Sequence, residues 1–151
     1  MKINKQYIKV PSLLMIYYIF IGMAALILPV ILIPLIKFSN YSEVVEEIAK
    51  VLVVIFLIFK LPTFSIQVLA GVGFGFLFGL SENLLYLNQI FQLGDFSIVF
   101  HRFFWVVPMH IITMLIMIFT GSAKRWFLIF GFAGALILHL LFNGVMSTVL
   151  M

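Results

Sequence analysis

The chain has 151 residues, of which 65% are hydrophobic and 9% charged, with no cysteine and a formal net charge of +4. A mean hydropathy of +1.29 makes it an integral membrane protein and excludes a soluble globule. Its basic residues are not interleaved with polar surface, which excludes nucleic acid as a partner, and the lack of cysteine excludes disulfides, thiolate nucleophiles and thiolate-bound zinc.

The N-terminal stretch MKINKQYIKVPSLLMIYYIFIGMAALILPVILIPL joins a basic lead to an apolar run. That run is about twice the ~7 to 15 residues of a signal-peptide core and no small-x-small cleavage site follows, so a retained first helix is predicted. Five stretches reach or approach the roughly 20 apolar residues needed to cross a bilayer. They cover about 12–36, 43–60, 64–91, 98–119 and 126–150, divided by KFSNYS, KLPT, QLGDFS and TGSAKR. Connections this short make neighbouring helices antiparallel. The predicted fold is all-α and polytopic, with about five transmembrane helices around an intramembrane polar site, in one membrane-embedded domain over 1–151. The second span reaches full length only if Glu46, Glu47 and Lys50 count as membrane residues.

Lys2, Lys5, Lys9, Lys60, Lys124 and Arg125 fall on one side of these spans, and Lys37, Arg102, Glu43 and Asp95 on the other. By the positive-inside rule the N-terminus is cytoplasmic in a multi-pass protein of the cell membrane, and five spans put the C-terminus outside. In the third span Gly71, Gly75 and Gly79 recur every four residues, a smooth stripe suited to close helix packing, and the same step lands on Asn83. No strand precedes these glycines, so they do not form a nucleotide-binding loop.

Ionisable groups in a span cost at least ~2.5 kcal/mol each at the bilayer centre, so they usually face the bundle interior and serve a function. Here they are Glu46, Glu47 and Lys50 on the second helix, Glu82 with Asn83 on the third, His110 on the fourth, and His139 with Asn143 on the fifth. At ~1.5 Å per residue, Glu46 and Glu47 lie about one turn from the outer end of their helix, Glu82 and Asn143 roughly 12 to 14 Å in, and both histidines about 18 Å in. One layer between the outer interface and the midplane therefore holds them all. Lys50 lies three and four residues after the two glutamates, and Asn143 four after His139, so each set shares a helical face. Taken singly, each has a structural explanation: an interfacial ion pair for Glu46, Glu47 and Lys50, a hydrogen-bonded core residue for His110, helix glue for Asn143, and an interfacial anchor for His101 and Arg102 beside Phe103, Phe104 and Trp105. Four helices burying polar groups at matching depth argue for a shared site.

Four motifs occur in order, one per helix: EEIAK (46–50), GFGFLFGLSENLLY (73–86), RFFWVVPMH (102–110) and HLLFN (139–143). Over about 43–145 the chain resembles the PrsW family of intramembrane proteases, within the superfamily that includes the CAAX prenyl proteases and bacteriocin-processing enzymes. CAAX proteases more often carry Arg one position after the place of Lys50, which favours the PrsW branch. The resemblance implies glutamate-based peptide hydrolysis inside the membrane, on a membrane-anchored substrate cut near its extracytoplasmic end. For this family that substrate is often an anti-sigma factor. The catalytic residues would be Glu46 as general base, Glu47 sharing a proton or holding the water, His110 at the water or the leaving amine, and His139 with Asn143 as oxyanion donors. Lys50, Glu82, Asn83 and Arg102 would support them.

No cofactor is expected on this reading. The alternatives are a zinc-dependent protease using His110, His139 and a glutamate, although H-E-x-x-H is absent, and a non-catalytic membrane peptide-binding or immunity protein with the same fold. A proton-coupled transporter is disfavoured by five spans without an inverted repeat.

Overall fold

The computed structural model describes residues 9–93 and 97–149. Lys2 and Lys5 of the basic lead and Asp95 of the third divider lie outside the described residues. Five helices follow in order: α1 Lys9–Ser39, α2 Ser42–Lys60, α3 Phe64–Leu93, α4 Ser97–Ala123 and α5 Leu128–Val149, the last entered through a 3-10 turn at Arg125–Phe127. Among the described residues there is no strand, as expected for an all-α polytopic membrane protein.

Several helices outrun the apolar stretches of the sequence. Lys37 to Ser39 and Thr120 to Ala123 are helical, although both sit in polar dividers. Polar residues mark the membrane edge more faithfully than the helix end, because their side chains can bond to the helix itself. The Thr120 hydroxyl, for instance, reaches the Ile116 carbonyl at 2.9 Å. α1 stops where Asn40 takes a left-handed conformation (φ 60°) while its N–H closes on the Ile36 carbonyl at 2.9 Å, as in a helix C-cap. α2 ends with the Leu61 N–H on the Leu57 carbonyl, and the Thr63 hydroxyl accepts the Ile66 N–H at the start of α3.

Among the described residues four helices are long and apolar enough to cross a membrane: Leu13–Ser39, Phe64–Gln92, Ser97–Ala123 and Arg125–Met146. α2 is not among them. Its 19 residues extend about 28 Å at ~1.5 Å per residue, so composition rather than length sets it apart. Its charges are turned inward. Glu46, Glu47 and Lys50 are buried with Val54 and Leu57, while Ile48, Leu52, Ile55 and Phe59 are exposed along the opposite stripe. α2 is thus an inverted amphipathic helix, apolar toward lipid and charged toward its neighbours.

The α3–α4 interface is the most extensive. A methyl group added at Gly75 would stand 2.8 Å from the His110 carbonyl oxygen and from the Ile111 Cα, and one at Gly79 3.0 Å from the Val107 Cα. The stripe therefore brings the α3 backbone against α4 beside His110, the close approach that small residues allow in membranes. α5 presents Gly131, Ala135 and His139 inward at four-residue steps, with a Gly131 methyl only 3.1 Å from the Met117 Cα of α4. α1 lies across α3, where the Ser81 hydroxyl donates to the Leu26 carbonyl at 2.7 Å. Below the polar layer the core is apolar, with Val54, Leu57, Phe74, Phe78, Met114, Met117, Ile118 and Ala135 fully buried.

Gly75→Ala should destabilise the bundle by about 1–3 kcal/mol, since backbone rather than a side-chain end meets the new methyl. Gly73→Ala, which meets nothing within 4 Å, is the matched control. Thermal unfolding in detergent that lowers the midpoint equally for both would refute this account of the stripe.

Candidate active site

Successive residues of an α-helix point about 100° apart, so Glu46 and Glu47 reach different neighbours from one turn of α2. Glu47 turns toward α4 and α5. Its Oε1 accepts from Lys50 Nζ at 2.6 Å and lies 2.7 Å from His139 Nδ1. Lys50 also donates to the Thr113 hydroxyl at 3.2 Å and sits over the Phe78 ring, 5.2 Å from its centroid. The Thr113 hydroxyl in turn donates to the His110 carbonyl at 3.1 Å. Lys50, Glu47 and Thr113 are fully buried. A carboxylate paired with an ammonium only accepts, so the Nδ1 of His139 carries the hydrogen in this contact and Nε2 is directed elsewhere. Nε2 lies 4.0 Å from Glu46 Oε2.

Glu46 faces α3 and α4 instead. Its Oε2 is buried without a hydrogen-bond partner. One oxygen of Glu46, one of Glu82 and one ring nitrogen of His110 all lie within 4.8 Å of one another. Glu82 Oε2 is 2.5 Å from His110 Nε2, and its Oε1 accepts from Arg102 Nη2 at 3.2 Å. Arg102 stacks on the Tyr86 ring at 4.0 Å, one turn after Glu82. The His110 ring stands edge-on to that of His139, with centroids 5.5 Å apart, and packs on Phe78 at 5.0 Å. His110 Nδ1 and both amide atoms of the buried Asn83 have no hydrogen-bond partner.

The geometry thus gathers Glu46, Glu47, Lys50, Glu82, Arg102, His110 and His139, drawn from α2, α3, α4 and α5, into one connected set. Asn83 is buried on the helix that carries Glu82 and bonds to none of them. Asn143 stands apart: its Nδ2 donates to Glu43 Oε1 at 2.8 Å, while the Ser42 hydroxyl donates to Glu43 Oε2 at 3.1 Å. One helical turn beyond His139 carries Asn143 to the first turn of α2 rather than to the glutamates. In the sequence Glu43 counts only as a charge on the outer side, Tyr86 only as the last residue of the third-helix motif, and Thr113 carries no mark. The signal for each was one-turn spacing from a recognised residue: Glu43 before Glu47, Thr113 after His110, Tyr86 after Glu82.

A cavity of about 350 Å³ leads to this layer between α1, α2 and α3, with Glu46 and Glu82 in its wall opposite Pro29, Ile33, Ile36 and Lys37 of α1. A second cavity, of about 430 Å³, lies beside Gln67 and Ser122, whose side chains bond to each other at 3.0 Å. Its lining has no acidic or imidazole group.

Two carboxylates and an imidazole form a donor set suited to a borderline divalent cation such as zinc, with room left for water or substrate. The unpartnered, buried Glu46 oxygen fits that use as well as it fits a general base. Glu46, Glu82 and His110 are therefore the residues that could hold a metal.

No curated protein matches the chain, and no solved structure does. A family model does match, over residues 13–151, that of the PrsW family intramembrane metalloproteases. The match takes in α1 as well as the motif-bearing helices. With a multi-pass apolar helical body and carboxylate and imidazole groups meeting inside it, the chain belongs to the PrsW family and is a membrane-embedded peptidase acting on membrane-embedded protein.

Proposed function

We propose that this peptidase cleaves its substrate with water activated by Glu46. The observation that carries this reading is the contrast between the two adjacent glutamates. Glu47 is held by Lys50 and His139, whereas a buried oxygen of Glu46 has no partner and the residue lines the cavity. A base must be free to take a proton and be open to water, and Glu46 meets both conditions.

In the proposed reaction a substrate segment enters the cavity and places a peptide carbonyl beside Glu46. Glu46 takes a proton from water as the oxygen attacks the carbonyl carbon. That proton passes to His139 Nε2, and Glu47, already accepting from Nδ1, stabilises the imidazolium that forms. The imidazolium then protonates the departing amine as the C–N bond breaks, which leaves Glu46 carrying no extra proton. His110, fixed through Nε2 by Glu82 and backed by Arg102, offers Nδ1 to orient the water. Asn143 acts as an oxyanion donor once its amide exchanges Glu43 for the substrate oxygen, a contribution typically of several kcal/mol. The substrate is a membrane-anchored protein of the anti-sigma-factor type, cut near its extracytoplasmic end, with the N-terminus of the enzyme in the cytoplasm.

A second reading, in which a metal takes part, is favoured by the Glu46, Glu82 and His110 set and by the family's description as metalloproteases. Those three residues would hold the ion, which would supply Lewis-acid polarisation of the carbonyl and a more acidic water.

Glu46→Gln should reduce cleavage of a reconstituted single-span substrate by at least ~100-fold, typical for loss of a general base, with insertion and thermal stability unchanged. Wild-type rates from that variant would reject the assignment. Exhaustive chelation, with metal content measured on the same sample, separates the two readings. Undiminished activity supports the glutamate reaction alone, while loss restored by zinc supports the metal. Lys50→Met should destabilise the fold by about 3–5 kcal/mol, because Glu47 is left buried without its cation. Adding Glu47→Gln should recover much of that stability without recovering activity. Orientation can be tested by labelling, since the chain has no cysteine of its own. A thiol introduced at Lys124 should be protected from impermeant reagent in intact cells and one at Asn40 labelled; the reverse pattern would invert the topology.

A further inference from the structure

From the wall of the cavity that meets Glu46 and Glu82, we infer that Lys37 selects substrates bearing a carboxylate at the interfacial end of the cleaved segment. This rests on the reading of Glu46 as the residue beside the scissile bond. Pro29, Ile33, Ile36 and Lys37 follow one another at four, three and one residues, so a single stripe of α1 forms the wall. That stripe is apolar for two turns and ends in an ammonium two residues before the helix stops. The opposite wall carries Ser42, Glu46, Glu82 and Tyr86, so the cavity is lined by polar groups on one side and an apolar stripe on the other.

The cavity is therefore polarised along its length. Toward the bundle it offers the carboxyl groups of Glu46 and Glu82. At the rim it offers one exposed cation, and among the described residues Lys37 has no ion pair. A segment lodged with its peptide carbonyl at Glu46 lays apolar side chains against Ile33 and Ile36 and then passes Lys37 at the membrane surface. An acidic group at that point gains an attraction and a basic one meets repulsion. A cation in the last turn of a helix is favourable in any case, through the helix dipole, but that effect does not depend on the substrate.

The test uses four single-span peptides of one apolar sequence in liposomes. Three carry Asp, Asn or Lys at the interfacial position, with amidated C-termini, and a fourth carries Asn and a free C-terminal carboxylate just beyond it. Binding is measured to Glu46→Gln protein, and kcat and KM of cleavage to protein with Glu46 intact. The Asp peptide should bind about fivefold more tightly than the Asn peptide, the range of an exposed ion pair, with the Lys peptide weakest. The difference should lie in KM rather than kcat. Lys37→Glu should reverse the order, and Lys37→Arg should preserve it. If the free-terminus peptide matches the Asp peptide, a terminal carboxylate serves as well as a side chain; if it matches the amidated Asn peptide, only the side chain is read. The same order in wild type and Lys37→Glu, or no binding by any peptide, would overturn the inference. Charge-ranked binding without any cleavage would instead reject the proteolytic reading and leave the role of Lys37 standing.

Discussion

The polar layer depends on the burial of one ammonium. Lys50 is fully enclosed in a predominantly apolar bundle, where an unpaired charge would be untenable. Its partners are all supplied: the Glu47 carboxylate from its own helix, the Thr113 hydroxyl from α4 and the Phe78 face from α3. Because each partner comes from a different element, satisfying this charge also fixes how α2 stands against α3 and α4. α2, the described helix that falls short of a membrane span by composition, is thus held by the residues that make it polar.

The glycine stripe sets the second constraint. Gly75 and Gly79 admit the α4 backbone at His110 and Val107, and that proximity places the His110 ring within reach of Glu82, on the next turn of α3. A methyl at Gly75 would meet the backbone of His110 and Ile111, and one at Gly79 the His110 ring itself at 3.0 Å. Close packing and polar convergence are therefore one feature of this interface. The Pro108 ring, two residues before His110, lies on a face of α4 that is exposed, where its missing N–H does not interrupt the contact.

Much of this was legible from spacing. The five helices, the inward face of α2 and the shared depth of Glu46, Glu82, His110 and His139 follow from periods of 3.6 residues and 1.5 Å per residue, which local sequence carries well. What it carried poorly were contacts between helices. Asn143 shares a face with His139, yet its amide meets Glu43, because where a side chain arrives one turn further along depends on the crossing of α5 over α2. Thr113 reads as an ordinary apolar-helix residue until Lys50, 63 positions away, is found bonded to it. Helix ends were misjudged for a related reason: hydrophobicity reports where lipid begins, and Thr120 or Lys37 can remain helical beyond it.

The division of labour proposed for Glu46 and Glu47 rests on the same geometry. Two carboxylates side by side would repel each other if they shared one cation and one cavity. The 100° step of the helix separates them. One is committed to Lys50 and to the Nδ1 of His139, and its charge is spent on orientation. The other is left facing Glu82, His110 and the cavity with an oxygen free. The imidazole of His139 lies between the two, its Nδ1 bonded to Glu47 at 2.7 Å and its Nε2 4.0 Å from Glu46, beyond hydrogen-bond range. In the proposed reaction a proton taken up by Glu46 would pass to this imidazole, which the Glu47 carboxylate holds from the other side. On the proposed reading an adjacent pair suits this position better than a single acidic residue, because one carboxylate orients the imidazole while the other faces the cavity.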